Sequence, residues 1–290
     1  PETCPNGGSS VTTASRTLIK AGRSGQEPDN ERIAWKTARL LGIDHVEYRV
    51  GRINGARVSA CDEMLSDTEE LIPAGQIMRI FRKGGYRERR DIWVEACQRL
   101  GVDRDTIMHA TDDFLFLDFL LRNTDRHYNN FGLIRDVESF AIRTAPIYDS
   151  GASLWNGMDP DAMDNGDYRT KPFWTDQWGE EDNAYWQLSL IDDWDRYDLS
   201  VLDDVPDIVH EQLSTNQRLS PMLIDRITGL LRGRLPIIRR QRNTTATRHM
   251  IGMTPIHGLD NPSTGQGLQP PDPADIPDDT RPDDPGIGLV

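Results

Sequence analysis

An α+β chain of two unequal parts, a small β-rich N-terminal lobe and a larger helical C-terminal lobe, is the fold class this sequence predicts. Three observations lead there. Strand and hairpin signals crowd into residues 1–75, around a single helix. From about Gln76 onward helical patterning dominates, giving a second lobe over 76–242. Inside that helical part, an acid, an amide and a second acid (Asp125, Asn130 and Asp149) bracket one short hairpin.

The elements follow in order. Residues 1–15 are small and polar and read as a loop. A strand is expected over 17–20, ended by Ala21-Gly22-Arg23-Ser24-Gly25. Pro28 suits a first helical turn, and Asp29, Asn30 and Glu31 suit the positive end of a helix. That helix runs to Leu41 and stops at Gly42. Strands over 45–50 and 56–61 flank Asn54-Gly55, a hairpin signal. Residues 66–74 read as a loop. Helices are expected over 89–100, 105–121, 199–213 and 221–242. The segment 243–290 differs in kind, with eight of the chain's 18 prolines and seven aspartates. It contains too few core-forming residues to offset chain entropy, so it is expected to be a disordered acidic tail.

Residues 107–121 are strongly apolar, long enough for a buried helix, and Asn123-Thr124-Asp125 breaks the pattern with turn formers. A strand over 131–134, a turn over 135–139 and a strand over 140–148 then place Asn130 and Asp149 at the two ends of one hairpin. This is the minimum set for Mg-ATP phosphoryl transfer: one acid for the hydroxyl proton, and an amide and a second acid for the metal. Asp and Asn are also ordinary turn formers. Asp149 behind the hairpin and Lys20 upstream weigh against that plainer reading. His127 reads as a hydrogen-bonding residue that shapes the loop. Trp174, Trp178, Trp186 and Trp194 read as core or lobe surface.

Composition narrows the classes. The chain has 33 basic and 47 acidic residues, a formal charge of −14, which argues against a nucleic-acid surface over the whole molecule. Cys4, Cys61 and Cys97 are few, odd in number and far apart, which predicts a reducing, cytoplasmic setting without a disulfide framework. No Cys/His spacing suggests zinc, and no apolar run approaches the roughly 20 residues of a membrane span.

The stretch 118–151 resembles the HipA-like kinases of bacteria, which read N-x-D-x-H-x-x-N, then a strand, then P-x-Y-D. Here Asn123, Asp125, His127, Asn130, Phe131, Pro146, Tyr148 and Asp149 supply those positions. The D-R-H-x-x-N core also resembles the phosphatidylinositol 3/4-kinases. Leu18-Ile19-Lys20-Ala21-Gly22, Gln26-Glu27-Pro28-Asp29-Asn30-Glu31 and Leu40-Leu41-Gly42-Ile43 look like the nucleotide lobe of HipA-like proteins, including the excisionase-like ones. The resemblance covers about 17–242.

It implies a bilobal kinase-like fold and ATP- and Mg-dependent phosphorylation of a protein Ser/Thr hydroxyl. By resemblance, Asp125 is the catalytic base, Asn130 and Asp149 are magnesium ligands, and Lys20 binds the ATP phosphates. Glu31 is the helix partner of Lys20, in competition with Glu27. Cys61-Asp62-Glu63-Met64-Leu65 is the hinge whose backbone meets adenine. The family carries a Gly/Ser-rich phosphate loop ahead of the lysine, and the residues available for it here are Asn6-Gly7-Gly8-Ser9-Ser10, close before the strand expected over 17–20. A lipid or small-molecule kinase, a nucleotide-binding pseudokinase, and a toxin that meets DNA through an antitoxin partner share the same motifs.

Overall fold

The computed structural model describes residues 16–81, 89–173 and 183–250. Gly7, Gly8, Ser9, Ser10, Trp174, Trp178 and residues 251–290 lie outside them. The first described strand, β1 (Thr17–Ala21), pairs antiparallel with β3 (Ala56–Asp62), which also pairs with β2 (Arg49–Ile53). Asn54 and Gly55, both at positive φ, close the β2–β3 hairpin. Between β1 and β2 runs α1 (Glu27–Leu41), with Pro28 in its first turn and Gly42 as its C-cap. The strand expected over 45–50 begins only at Arg49. His45 instead forms an isolated parallel bridge to Ile147.

One expectation is overturned in the linker. Residues 69–73, read as loop, form β4 (Glu69–Pro73), which pairs with β5 (Gly132–Asp136). That strand in turn pairs with β6 (Ile142–Thr144). The second sheet therefore joins β4 to the β5–β6 hairpin. Gly132 is what lets β4 come so close: a Cβ there would lie 2.3 Å from the Ile72 carbonyl oxygen. The 140–148 strand shrinks to three residues, because Phe140 turns at φ 61 and Pro146 follows.

The helical lobe consists of α2 (Ala74–Phe81), α3 (Arg89–Arg99), α4 (Arg104–Leu121), α5 (Ala184–Ser189), α6 (Val205–Ser214) and α7 (Pro221–Met250). The Asp103 carboxylate caps α4 by accepting from Thr106 N–H at 3.1 Å. Residues 114–121 of α4 are all buried, so this helix is the centre of the core rather than an amphipathic surface helix. Residues 199–204, expected as the start of α6, form 3-10 turns. The last helix passes the expected stop at Arg242 and runs to Met250.

Candidate active site

Lys20 sits on β1, and its Nζ lies 2.8 Å from Asp149 Oδ1, 129 positions along the chain. Asp149 follows the β5–β6 hairpin and holds a left-handed backbone, φ 57, uncommon for a residue with a side chain. Glu31, on α1, is buried beside the pair, and its Oε2 accepts the Ser150 N–H at 2.9 Å. Gly151 makes that approach possible, since a Cβ there would sit 3.3 Å from Glu31 Oε1. The competing acid, Glu27, is used elsewhere: it accepts the N–H groups of Arg23, Ser24 and Gly25 at 2.9 Å each. Burial and the charge of Asp149 push the Glu31 carboxyl up to about 7, against the opposing pull of Lys20, the Ser150 N–H and Arg126.

The loop over 123–130 is tied internally. Asn123 Oδ1 accepts the Asp125 N–H at 3.1 Å, and Asn130 Nδ2 donates to the Asp125 carbonyl at 3.0 Å. The latter bond leaves Oδ1 as the group Asn130 can offer a ligand. His127 Nδ1 accepts the Asn129 N–H at 3.3 Å, a loop-shaping contact. The Asp125 side chain is 51% exposed and lies 3.5 Å from Lys171 Nζ. At the base of the loop, the first N–H groups of α2 point at it: Ala74 N donates to Phe131 O at 2.9 Å and Gly75 N to Tyr128 O at 2.8 Å.

Arg126 locks the two halves together. Its guanidinium is fully buried and grips Asp118 of α4 bidentately, at 2.8 and 2.9 Å. It also donates to the carbonyls of Asn130 (3.0 Å) and Tyr148, and to Ser150 Oγ at 3.1 Å. One nitrogen thus spans Asn130 and the residue before Asp149. Behind them His45 Nε2 lies 3.3 Å from Ser150 Oγ, and burial holds its imidazole down at about 4, neutral at ordinary pH.

Cys61 and Asp62 end β3, and Glu63 N donates to Arg16 O at 2.9 Å. Met64 and Tyr148 pack against Val46, Tyr48 and Cys61, an apolar wall beside the Lys20–Asp149 pair. Burial first, then the charge of Glu31, with Asp149 adding to it, raises the Tyr48 hydroxyl, so this wall lies against the charged site. Lys20, Glu31, Asn130, Asp149 and the 61–64 segment are therefore linked by contacts, and Asp125 joins them through Asn130.

The donor set fits a magnesium ion. Among the described residues no group of three or more His, Cys, Asp or Glu side chains could enclose a metal. One carboxylate and one amide oxygen, completed by phosphate oxygens and water, is the kind of shell magnesium accepts. Sequence reasoning missed Asp118, Arg126, Tyr48, His45 and Lys171. For Asp118 a signal existed: an acid inside an otherwise apolar buried run requires a partner.

No protein-family model matches the chain. It is similar to the serine/threonine-protein kinase CtkA of Helicobacter pylori, 24% identical over 134 residues, 45% of this chain and 41% of that protein. The chain thus matches that curated relative over less than half of the relative's length. The crystal structure of the proinflammatory kinase CtkA from Helicobacter pylori superposes with a TM-score of 0.59 at 18% identity, covering 80% of this chain and 91% of that one. HipA of Shewanella oneidensis MR-1, solved with HipB and operator DNA, matches with a TM-score of 0.46 at 13% identity, covering 80% of this chain and 61% of that one. The chain has a kinase-like fold, with a small sheet region and a larger helical part. The kinase resemblance read from the motif order is borne out by the match to CtkA.

Proposed function

We propose that this chain is a HipA-like, ATP- and magnesium-dependent kinase that phosphorylates a protein Ser/Thr hydroxyl. The observation that carries the reading is the 2.8 Å contact between Lys20 and Asp149. It joins the β1 lysine to the acid behind the catalytic hairpin, with Glu31 beside them and the Asp125–Asn130 loop tied to the same framework by Arg126.

In this reading Lys20 binds phosphate oxygens and Glu31 orients the neighbourhood of Lys20 and Ser150. The backbone of 61–65 receives adenine against Met64 and Tyr48. Asn130 and Asp149 would hold magnesium, which supplies positive charge to the β- and γ-phosphate oxygens. Asp125 accepts the proton of the acceptor hydroxyl as that oxygen bonds to the γ-phosphorus. The bond from the γ-phosphorus to the bridging oxygen breaks, and ADP leaves with the electron pair. Gly7, Gly8, Ser9 and Ser10 remain the candidates for the phosphate loop. A protein acceptor and an antitoxin-type partner rest on the sequence resemblance.

The test is transfer of labelled phosphate from ATP in the presence of Mg²⁺, with cell lysate as acceptor, for the wild type and Asp125→Asn. That substitution keeps the size of the side chain but removes its capacity as a base. Transfer should fall by roughly 10²–10⁴-fold, the range for losing a general base, while Mg-ATP affinity changes little. Wild-type transfer by Asp125→Asn would remove Asp125 from the chemistry. A wild type that binds Mg-ATP but phosphorylates nothing would leave the pseudokinase reading standing.

A further inference from the structure

The catalytic loop meets a cation that the sequence motif does not contain. Lys171 Nζ lies 3.5 Å from Asp125 Oδ1, and the two side chains are 36% and 51% exposed. The backbone that carries Lys171 is pinned on both sides. Thr170 is buried, its hydroxyl donates to the Asn123 carbonyl at 3.4 Å, and Gln187 Nε2 of α5 donates to its carbonyl at 3.3 Å. Phe173 is fully buried against Phe114 and Phe131. Arg169 bridges to Asn183, the residue that caps α5. An ion pair this exposed adds little to stability, so fold stability does not account for a lysine delivered so firmly to this carboxylate.

Charge balance does. Asp125 must approach a hydroxyl while a transferring phosphoryl group, also negative, approaches the same oxygen. We infer that Lys171 is a positioning residue of the acceptor side. It holds the Asp125 carboxylate toward the hydroxyl and offsets the repulsion between that carboxylate and the phosphoryl group. Its charge acts where the acceptor hydroxyl loses its proton to Asp125 and gains the bond to phosphorus. It takes no part in nucleotide binding, which belongs to Lys20, Asn130 and Asp149. This inference rests on the kinase reading above.

The experiment compares wild type, Lys171→Gln and Lys171→Arg by kcat, KM for ATP, Mg-ATP affinity and melting temperature. In Lys171→Gln, kcat should fall at least about tenfold, what one unit charge near a protein surface supplies. KM for ATP, nucleotide affinity and melting temperature should stay near wild type. Lys171→Arg, which keeps the charge, should recover much of the rate. With an active wild type, an unchanged rate in Lys171→Gln overturns this inference and leaves the kinase reading intact. So does a loss shared equally by nucleotide affinity, or one that arginine does not repair. A wild type that binds Mg-ATP and transfers nothing overturns both.

Discussion

Arg126 has five N–H donors and five acceptors: two from Asp118, two backbone carbonyls and the Ser150 hydroxyl. A buried charge is tolerable only when paired and fully hydrogen-bonded, and here that requirement shapes the loop that carries Asp125 and Asn130. Asp112 is a contrasting residue. It is buried on α4, and together with Asp192 it shares the single guanidinium of Arg90. Burial, with the charge of Asp192, outweighs Arg90 and raises the Asp112 carboxyl to about 7. Its folded value lies above the unfolded 3.8, so its contribution is fully present below that pH. It fades as pH rises and is lost once pH passes the folded value. Denaturant unfolding at about pH 5 and about pH 8 should therefore show a decline that is smaller in Asp112→Asn than in wild type, the remainder coming from Glu31, whose carboxyl is also raised to about 7. Equal pH dependence in the two proteins would contradict the assignment.

At the scale of elements, α1 is held on the helical lobe as well as on its own sheet. Asp29 of α1 accepts from Arg57 Nε of β3 at 2.7 Å, from Gln212 of α6 at 2.9 Å and from Asn216 at 2.8 Å. Asn30 donates to the carbonyls of Gly151 and Ser153 at 2.8 Å. The helix that presents Glu31 is thus fixed from both sides. Arg57 and Asp29 are both buried. Arg57→Met should cost about 3–5 kcal/mol, the range for stranding one member of a buried ion pair, measured by denaturant unfolding. A cost below about 1 kcal/mol, as for a surface pair, would show that Gln212 and Asn216 suffice.

Across the whole molecule, the proposed nucleotide contacts come from both lobes: Lys20 and Glu31 from one, Asn130 and Asp149 from the other. Mg-ATP should then stabilise both lobes together, by about 2.7 kcal/mol at 100-fold excess over Kd. The thermal shift should have a large magnesium-dependent part. Asp149→Ala should lose most of that part while still folding, since it removes a side chain that is 34% exposed. Identical shifts with and without Mg²⁺ in both proteins would be incompatible with the ligand assignment.

Local chemistry made much of this protein readable in advance. The β1 strand, α1 with its Pro28 start and Gly42 stop, the Asn54-Gly55 hairpin and the apolar α4 follow from residue types a few positions apart. The order of Lys20, Asp125, Asn130 and Asp149 was also readable, from its resemblance to a kinase motif. Long-range pairing was not readable. β4 is a strand because β5, some 60 residues later, supplies its hydrogen bonds, and no side chain of its own announces it. The last helix runs past its expected stop at Arg242, and there the Thr244 and Thr247 hydroxyls donate back to the Arg240 and Asn243 carbonyls within the helix. Lys171 reaches Asp125 across 46 positions, and Arg126 finds Tyr148 and Ser150 only once the hairpin has folded back. Short-range preferences are written into neighbouring residues. Contacts between distant ones are set by burial and by the need to satisfy every buried polar group, and only the assembled tertiary structure decides them.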